Sequence, residues 1–256
     1  MESLSKELFM KLSKGFLIVA ATLIMAALFF SLVAPAATDA ARVTYLTGNA
    51  AKSKAKTGPW ANIKTNSIVT AGYYIKTGAS TRVELTMPDN SKIRIAPNSI
   101  LFLSSARFRN GTRNYDANIV AGTVYTRTRP SSNKNDKFIV RTNGAVAGAR
   151  GTAFDTILMP DGATQVKCFE GKVWVSNWAD YAQRFLREEQ HIPTEGSLEA
   201  PVVPGPDVVT EEEWVKIVGA MMTITVGADG KVQDPQQISS SDVDDWEDWN
   251  RKRDNI

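Results

Sequence analysis

From Arg42 to Trp178, apolar and polar residues alternate in short runs rich in Val, Ile, Thr, Tyr and Phe, with turn-forming residues between them. A period of two is that of a β-strand with one buried face. Two hairpins stand out. In the first, Arg82–Met87 and Lys92–Ile95 flank Pro88-Asp89-Asn90-Ser91, with Val83, Leu85 and Met87 on one face and Ile93 and Ile95 placed to oppose them. In the second, Phe154–Met159 and Gln165–Phe169 flank Pro160-Asp161-Gly162. Pro, Asp, Asn and Gly all favour turn geometry, and Asn110-Gly111 is a further turn signal. Both hairpins contain Met-Pro-Asp, and each is preceded by a strand ending in a basic residue and threonine, Tyr73–Thr77 and Phe138–Thr142. Glycine-led strands recur at Gly72, Gly122 and Gly171. This degenerate repeat predicts stacked β units. The expected fold is mainly β, an antiparallel β roll or short solenoid of stacked hairpins over residues 41–178.

The period then lengthens. Asn177 is placed to cap a helix with Asp180 at its third position. Trp178, Tyr181, Ala182, Phe185 and Leu186 follow at helical spacing, so residues 179–191 read as an amphipathic helix packed on the β domain. Residues 192–209 contain Pro193, Pro201, Pro204 and Pro206 and read as an extended linker. Residues 210–256 form a small acidic α+β segment. Thr210 to Glu213 opens a second helix with the stripe Trp214, Ile217, Val218, Met221 and Met222, and a hairpin over Thr223–Val226 turns at Gly227–Gly230. The charged end carries Trp246 and Trp249, which a solvated tail does not need, so both are candidate partner contacts.

The first 40 residues differ from the rest. Lys6, Lys11 and Lys14 precede an apolar run from Gly15 to Ala37 broken only by Ser31. It is long enough to cross a bilayer, which takes about 20 residues. It also has the form of a signal peptide, with the small-residue site Ala34-Pro35-Ala36. As signal or anchor helix, it exports everything after about residue 40, with residues 15–37 as a membrane tether if uncleaved.

Charge is split along the chain. Residues 41–178 hold 20 Lys and Arg against 7 Asp and Glu, whereas residues 179–256 hold 7 against 17. Body and tail could screen one another, or the basic face could meet an anionic glycan, a headgroup or an acidic protein.

Catalytic patterns do not emerge. The single histidine, His191, stands at the edge of the linker, and the single cysteine, Cys168, falls in an apolar-alternating strand. No Cys/His/Asp spacing points to a metal, and no cofactor or nucleic-acid pattern is present. In the stretch Gly148-Ala149-Arg150-Gly151-Thr152, a phosphate loop would need a lysine and a following helix, but a strand follows instead. The glycines there read as turn positions, Thr152 as a local hydrogen-bonding group and Arg150 as the partner of a nearby carboxylate.

Taken as a set, these strings resemble the FecR domain family. The resemblance rests on Thr81-Arg82-Val83-Glu84-Leu85, Pro88 to Ile95, Ala121-Gly122-Thr123-Val124 and Phe138 to Thr142. It continues through Arg150-Gly151-Thr152-Ala153-Phe154 and closes with Gly171-Lys172-Val173-Trp174-Val175. Arg150, Gly151, Thr152 and Phe154 carry its most telling string, as structural motif residues. The resemblance implies a periplasmic, mostly β domain used in transmembrane signalling. Iron-uptake members relay the state of an outer-membrane transporter to a sigma factor through a cytoplasmic anti-sigma segment ahead of the membrane helix. Only 14 residues precede the apolar run here, so no such segment is expected. The reading is an exported, non-enzymatic module that binds an envelope protein. The alternative is a structural or glycan-associated protein whose basic β face contacts anionic wall polymer.

Overall fold

A computed structural model of the chain describes residues 39–183 and 215–256. Among these residues there are seventeen strands, β1 (Ala40–Thr47), β2 (Ala50–Ser53), β3 (Ala61–Asn62), β4 (Ile68–Thr70), β5 (Tyr73–Thr77), β6 (Arg82–Thr86), β7 (Lys92–Ile95), β8 (Ile100–Arg109), β9 (Thr112–Arg127), β10 (Lys137–Arg141), β11 (Ala145–Ala149), β12 (Ala153–Leu158), β13 (Thr164–Glu170), β14 (Lys172–Asn177), β15 (Lys216–Gly219), β16 (Met222–Val226) and β17 (Gln236–Gln237). One long helix, α1 (Asp245–Asp254), lies near the C-terminus.

The strands form two sheets that share β9. Sheet A runs β4-β1-β6-β7-β9-β12-β13-β16-β17, using the C-terminal half of β9. Sheet B runs β3-β2-β5-β8-β9-β10-β11-β14-β15, using the N-terminal half. One core lies between them. Val43, Leu85, Ile93, Ile95, Phe154 and Val166 from sheet A meet Ile75, Leu101, Leu103, Ile119, Val140 and Val175 from sheet B, and all are fully buried. Alternation along each strand supplies this inward face.

The mainly β class is as the alternation predicts. The expected all-antiparallel arrangement is not kept, because β9 and β10 pair in parallel. Each sheet is open.

The repeat is visible in the loops. Val83 pairs with Ile95 and Leu85 with Ile93, as the sequence places them. In each Met-Pro-Asp loop the Met amide donates across the turn, Met87 to Ser91 O and Met159 to Ala163 O. Each Asp then accepts from the residue two ahead, Asp89 from Ser91 N and Asp161 from Ala163 N. The fourth position has positive φ in both, 66° at Asn90 and 89° at Gly162. The two hairpins flank β9 in sheet A, while β5 pairs with β8 and β11 with β14 beneath them in sheet B.

Asn177 caps as expected: its Oδ1 accepts from Asp180 N at 2.8 Å. Residues 178–183 are helical. Tyr181 packs with Trp174 and Trp178 over Ile139 and Val146, on the outer face of sheet B. Further along, the expected second helix is overturned where it is described. Residues 216–219 are strand β15, which extends sheet B, and 222–226 are β16, which extends sheet A. Ile217, Val218 and Thr223 are β-branched, and each sheet offers an open edge to pair with. That combination outweighs the helical spacing of the stripe. Thr210 and Trp214, the linker, His191 and the apolar run 15–37 lie outside the described residues. No described helix is long and apolar enough to cross a membrane.

Candidate functional site

Across the outer face of sheet A runs one transverse row of cross-strand neighbours. Glu84 (β6) faces Arg94 (β7), Arg94 faces Tyr125 (β9), Tyr125 faces Asp155 (β12), and Asp155 faces Lys167 (β13). These side chains alternate with the core-facing residues of the same strands, so the period that fills the core also places them outside it. The row is nevertheless buried: Glu84, Arg94, Tyr125 and Asp155 are each exposed by 2% or less. Charges tolerate such burial only when partners answer them.

Helix α1 supplies the partners by lying across the strands along this row. At its N-terminal end Trp246 Nε1 donates to Asp155 Oδ1 at 3.2 Å, and Lys167 Nζ donates to Glu247 Oε1 at 2.5 Å. In mid-helix, Asn250 accepts from Arg94 Nη1 at 3.3 Å. At the far end Asp254 accepts from Arg94 and, at 2.6 Å, from Tyr125 Oη, while Arg253 Nε donates to Glu84 Oε2 at 3.0 Å. Arg82 pairs with Asp245. The screening of basic body by acidic tail is thus realised at Arg82, Arg94 and Lys167, with the polarity reversed at Glu84.

The helix forms because its sequence closes both ends. Asp244 accepts from Trp246 N and Glu247 N, and Glu247 Oε2 accepts from Asp244 N, a full capping box. Asn255 ends it at φ 58° in the left-handed region. Acids in the first turn and Arg251, Lys252 and Arg253 in the last complement the helix dipole. Glu247 therefore has two roles: one carboxylate oxygen starts the helix and the other fastens it to Lys167.

The electrostatics follow from this packing. Burial alone would raise Glu84, but hydrogen bonds from Arg253, Arg94 and Thr44 hold it at about 2. Burial opposes the charge on Arg94 too, yet its bonds to Asp254 and Glu84 raise its pKa on balance. Asp155 moves the other way: burial first and the nearby Glu247 second push it well above the usual carboxylate range. Its Oδ2 has no hydrogen-bond partner among the described residues. Burial, then Asp254, raises Tyr125.

This geometry places Trp246 against the chain's own sheet. It is 7% exposed and packs with Tyr125, Phe169, Ala96, Ala153 and Ile238 of its own chain. Trp249 is half-buried, with its ring 5.5 Å from that of Trp246 and 5.6 Å from that of Tyr45. The tryptophans do dock, but onto the chain's own sheet.

The Arg150 string lies elsewhere. Arg150 Nη2 donates to the carbonyls of Lys134 and Asp136 at 2.7 and 3.1 Å, so its partners are backbone oxygens rather than the expected carboxylate. Gly151 has φ 65°, and a Cβ there would meet Pro130 Cα at 3.2 Å. Thr152 O accepts from Thr128 N, Thr152 N donates to Thr128 Oγ1, and the Thr152 hydroxyl donates to Lys172 O, while Phe154 is wholly buried in the core. The four residues pin a strand crossing between the sheets. They are not brought together with Trp246 and Trp249.

Sequence reasoning missed the charged row and the helix. Two signals were present: Asp244-x-x-Glu247 is a capping-box spacing, and Glu84 and Asp155 are mid-strand acids in a body that holds few. Among the described residues no three His, Cys, Asp or Glu side chains cluster closely enough to hold a metal ion.

Residues 73–174 match the family model described as FecR protein. No curated protein matches the chain in sequence. Two crystal structures of a candidate anti-sigma factor from Parabacteroides distasonis are similar in part. They are 15% and 14% identical, with TM-scores of 0.43 and 0.42, over 66% of this chain and 61% of those chains. The chain thus spans about six-tenths of their length.

Proposed function

We propose that this protein, in which residues 73–174 form a FecR domain, is a non-catalytic signalling module of the cell envelope that works by binding a protein partner. The family carries the signalling part of this reading. The partner-binding part is supported by one observation: the outer face of sheet A presents a fixed order of charges and aromatic rings that holds a charged helix, here α1. A surface that holds one such helix through Glu84, Arg94, Asp155 and Lys167 has the chemistry to hold another of like sequence. In this reading residues 15–37 carry the domain to the periplasm and, if uncleaved, tether it to the inner membrane. The Arg150, Gly151, Thr152 and Phe154 string stabilises the domain without touching a partner.

The test is crosslinking in native cells through a C-terminal tag, followed by mass spectrometry. Recovery of an inner- or outer-membrane protein in near-equal amount supports the reading. Recovery of the protein alone overturns it.

A second reading, an envelope protein that holds anionic wall polymer, is favoured by a specific observation. Between Ala40 and Val83 there are seven Lys and Arg and no Asp or Glu.

A further inference from the structure

Asp39, the first described residue, enters the domain at the end of the sheets where β8 turns into β9. Its carbonyl accepts from Ala71 N, and its carboxylate accepts from Arg109 Nη2 at 3.2 Å. A row of cations starts beside this point and runs along the same end of sheet B. Arg107 of β8 faces Asn114 of β9, which faces Lys137 of β10. Ile139, Gly148 and Trp174 are neighbours across β10, β11 and β14 on the outer face. Lys137 and Lys172 stand two residues before Ile139 and Trp174, so alternation puts both on that face. Arg107, Asn114, Lys137 and Lys172 are all exposed. The row crosses four strand spacings, roughly 19 Å. Arg150, just past the end of β11, is exposed too and fastens the loop between β9 and β10 through Lys134 O and Asp136 O. Among the described residues, the carboxylates of this end already have guanidinium partners: Asp39 has Arg109, Asp89 and Asp136 share Arg113, and Glu170 has Arg127. The row therefore stands as a strip of positive charge.

The side chains of this row are long and cationic, with an asparagine and no ring among them, so they give neither bases nor sugars a platform to stack on. Exposed ammonium and guanidinium groups set in a line suit anionic groups spread over a plane, as lipid headgroups are. The path of the chain favours the same ligand. Only Thr38 separates Asp39 from the apolar run that ends at Ala37, and two residues reach at most about 7 Å. A run that stays in a bilayer therefore holds this end of the domain beside the headgroups. We infer that Arg107, Lys137, Arg150 and Lys172 dock the domain on an anionic phospholipid surface. The inference rests on the reading that residues 15–37 tether the chain. The row lies on the outer face of sheet B and α1 on that of sheet A, so docking leaves α1 open to a partner.

The test reconstitutes the full chain in nanodiscs of phosphatidylcholine, with or without phosphatidylglycerol, and uses a lipid with a headgroup nitroxide as quencher. Cys168 is wholly buried, so a thiol dye added to the folded protein labels Asn114→Cys in the row or Asn143→Cys at the other end of β10. Asn143 lies six residues beyond Lys137, roughly 20 Å along the strand. With phosphatidylglycerol present, the dye at 114 should be quenched severalfold more than the dye at 143. The difference should vanish in about 1 M salt, where the Debye length is about 3 Å. Arg107→Glu with Lys172→Glu should lower the ratio of docked to free domains by about tenfold or more, since each cation near an anionic surface favours it by about fivefold. Lys76→Glu with Lys231→Glu makes the same change in net charge at exposed positions towards the opposite end and should leave the ratio within about twofold. If the full chain does not enter the discs, the tether reading fails and the inference with it. If it enters and the two dyes are quenched alike, the tether stands and the docking row is wrong. Equal quenching in pure phosphatidylcholine overturns the anionic headgroup as the ligand. Release of the row by oligogalacturonate at equal charge overturns the lipid and gives the row to a polysaccharide.

Discussion

Trp246 donates its indole N–H to Asp155 Oδ1 at 3.2 Å, and Asp155 Oδ2 is left without a partner among the described residues. Burial, with Glu247 adding to it, raises the Asp155 pKa in the folded state. Between the ordinary aspartate pKa and this raised value the folded chain binds more protons than the unfolded one. Stability therefore falls as pH rises through that window. Asp155→Asn removes the titration and keeps an oxygen to accept the indole N–H. The variant should melt above wild type at pH 8, by about 2–4 °C for each kcal/mol gained. The gap should close towards pH 4. A lower Tm at pH 8 would mean that Lys167 holds Asp155 as an ion and that the ion is wanted.

Glu84 has the opposite sign. Its pKa of about 2 lies below its unfolded value near 4.5, because bonds from Arg253, Arg94 and Thr44 outweigh burial. The stability it contributes is present above pH 4.5 and is lost as pH falls towards 2. Glu84→Gln leaves the wholly buried Arg94 short of a counter-charge, a loss of about 3–5 kcal/mol for a buried pair. Urea unfolding at pH 7 should show this loss, and the difference from wild type should shrink at pH 3. An unchanged midpoint at pH 7 would show that Asp254 alone satisfies Arg94.

These two residues mark where the sequence was legible and where it was not. The core is readable because alternation is local: Val83, Leu85, Ile93 and Ile95 declare their face by spacing alone. The Met-Pro-Asp loops are readable because turn chemistry is local too. The charged row is not, since Glu84 and Lys167 are 83 positions apart and become part of one row only through β7, β9 and β12. The stretch 216–222 misleads for a related reason. Its helical spacing is real, but its fate depends on the open edges at β14 and β13, which no local pattern encodes.

Gly148 offers a test of packing on sheet B. It faces Trp174 across β11 and β14, and a Cβ on it would lie 1.9 Å from the indole ring. The ring lies flat over the strand and stacks on Tyr181 at 5.8 Å, which seats the helical residues 178–183. Gly148→Ala should force the indole away, at a cost of about 1–3 kcal/mol for overpacking. Tryptophan fluorescence should shift to the red. Adding Trp174→Leu should recover part of the lost stability. No recovery would place the cost in the backbone rather than the ring.

Cys168 is wholly buried, and burial pushes its thiol up to about 11. An unfolded cysteine titrates near 8.5, so at pH 8 the folded thiolate fraction is lower by roughly a hundredfold. Shielding lowers reactivity further. A thiol reagent at pH 8 should therefore label the native protein on the order of a hundred times more slowly than protein in urea. Labelling at comparable rates would contradict the burial of β13.

The two tryptophans of α1 should separate holding the helix from holding a partner. Trp246 is enclosed by Tyr125, Phe169 and Ala153, so Trp246→Ala should cost about 3–5 kcal/mol, as large aromatic truncations do. It should also speed hydrogen exchange across 245–254. Trp246→Phe keeps most of the packing and loses only the bond to Asp155, so it should cost about 1–3 kcal/mol. Trp249 is half-buried beside Tyr45 and has the guanidinium groups of Arg82 and Arg253 5.0 and 5.5 Å from its ring. Trp249→Ala should lower stability less than Trp246→Ala. If the proposed partner reads this end of α1, Trp249→Ala should also reduce the partner recovered by crosslinking while the domain stays folded at 25 °C. Full recovery with Trp249→Ala would remove this tryptophan from the partner surface and leave it a role in clamping the helix alone.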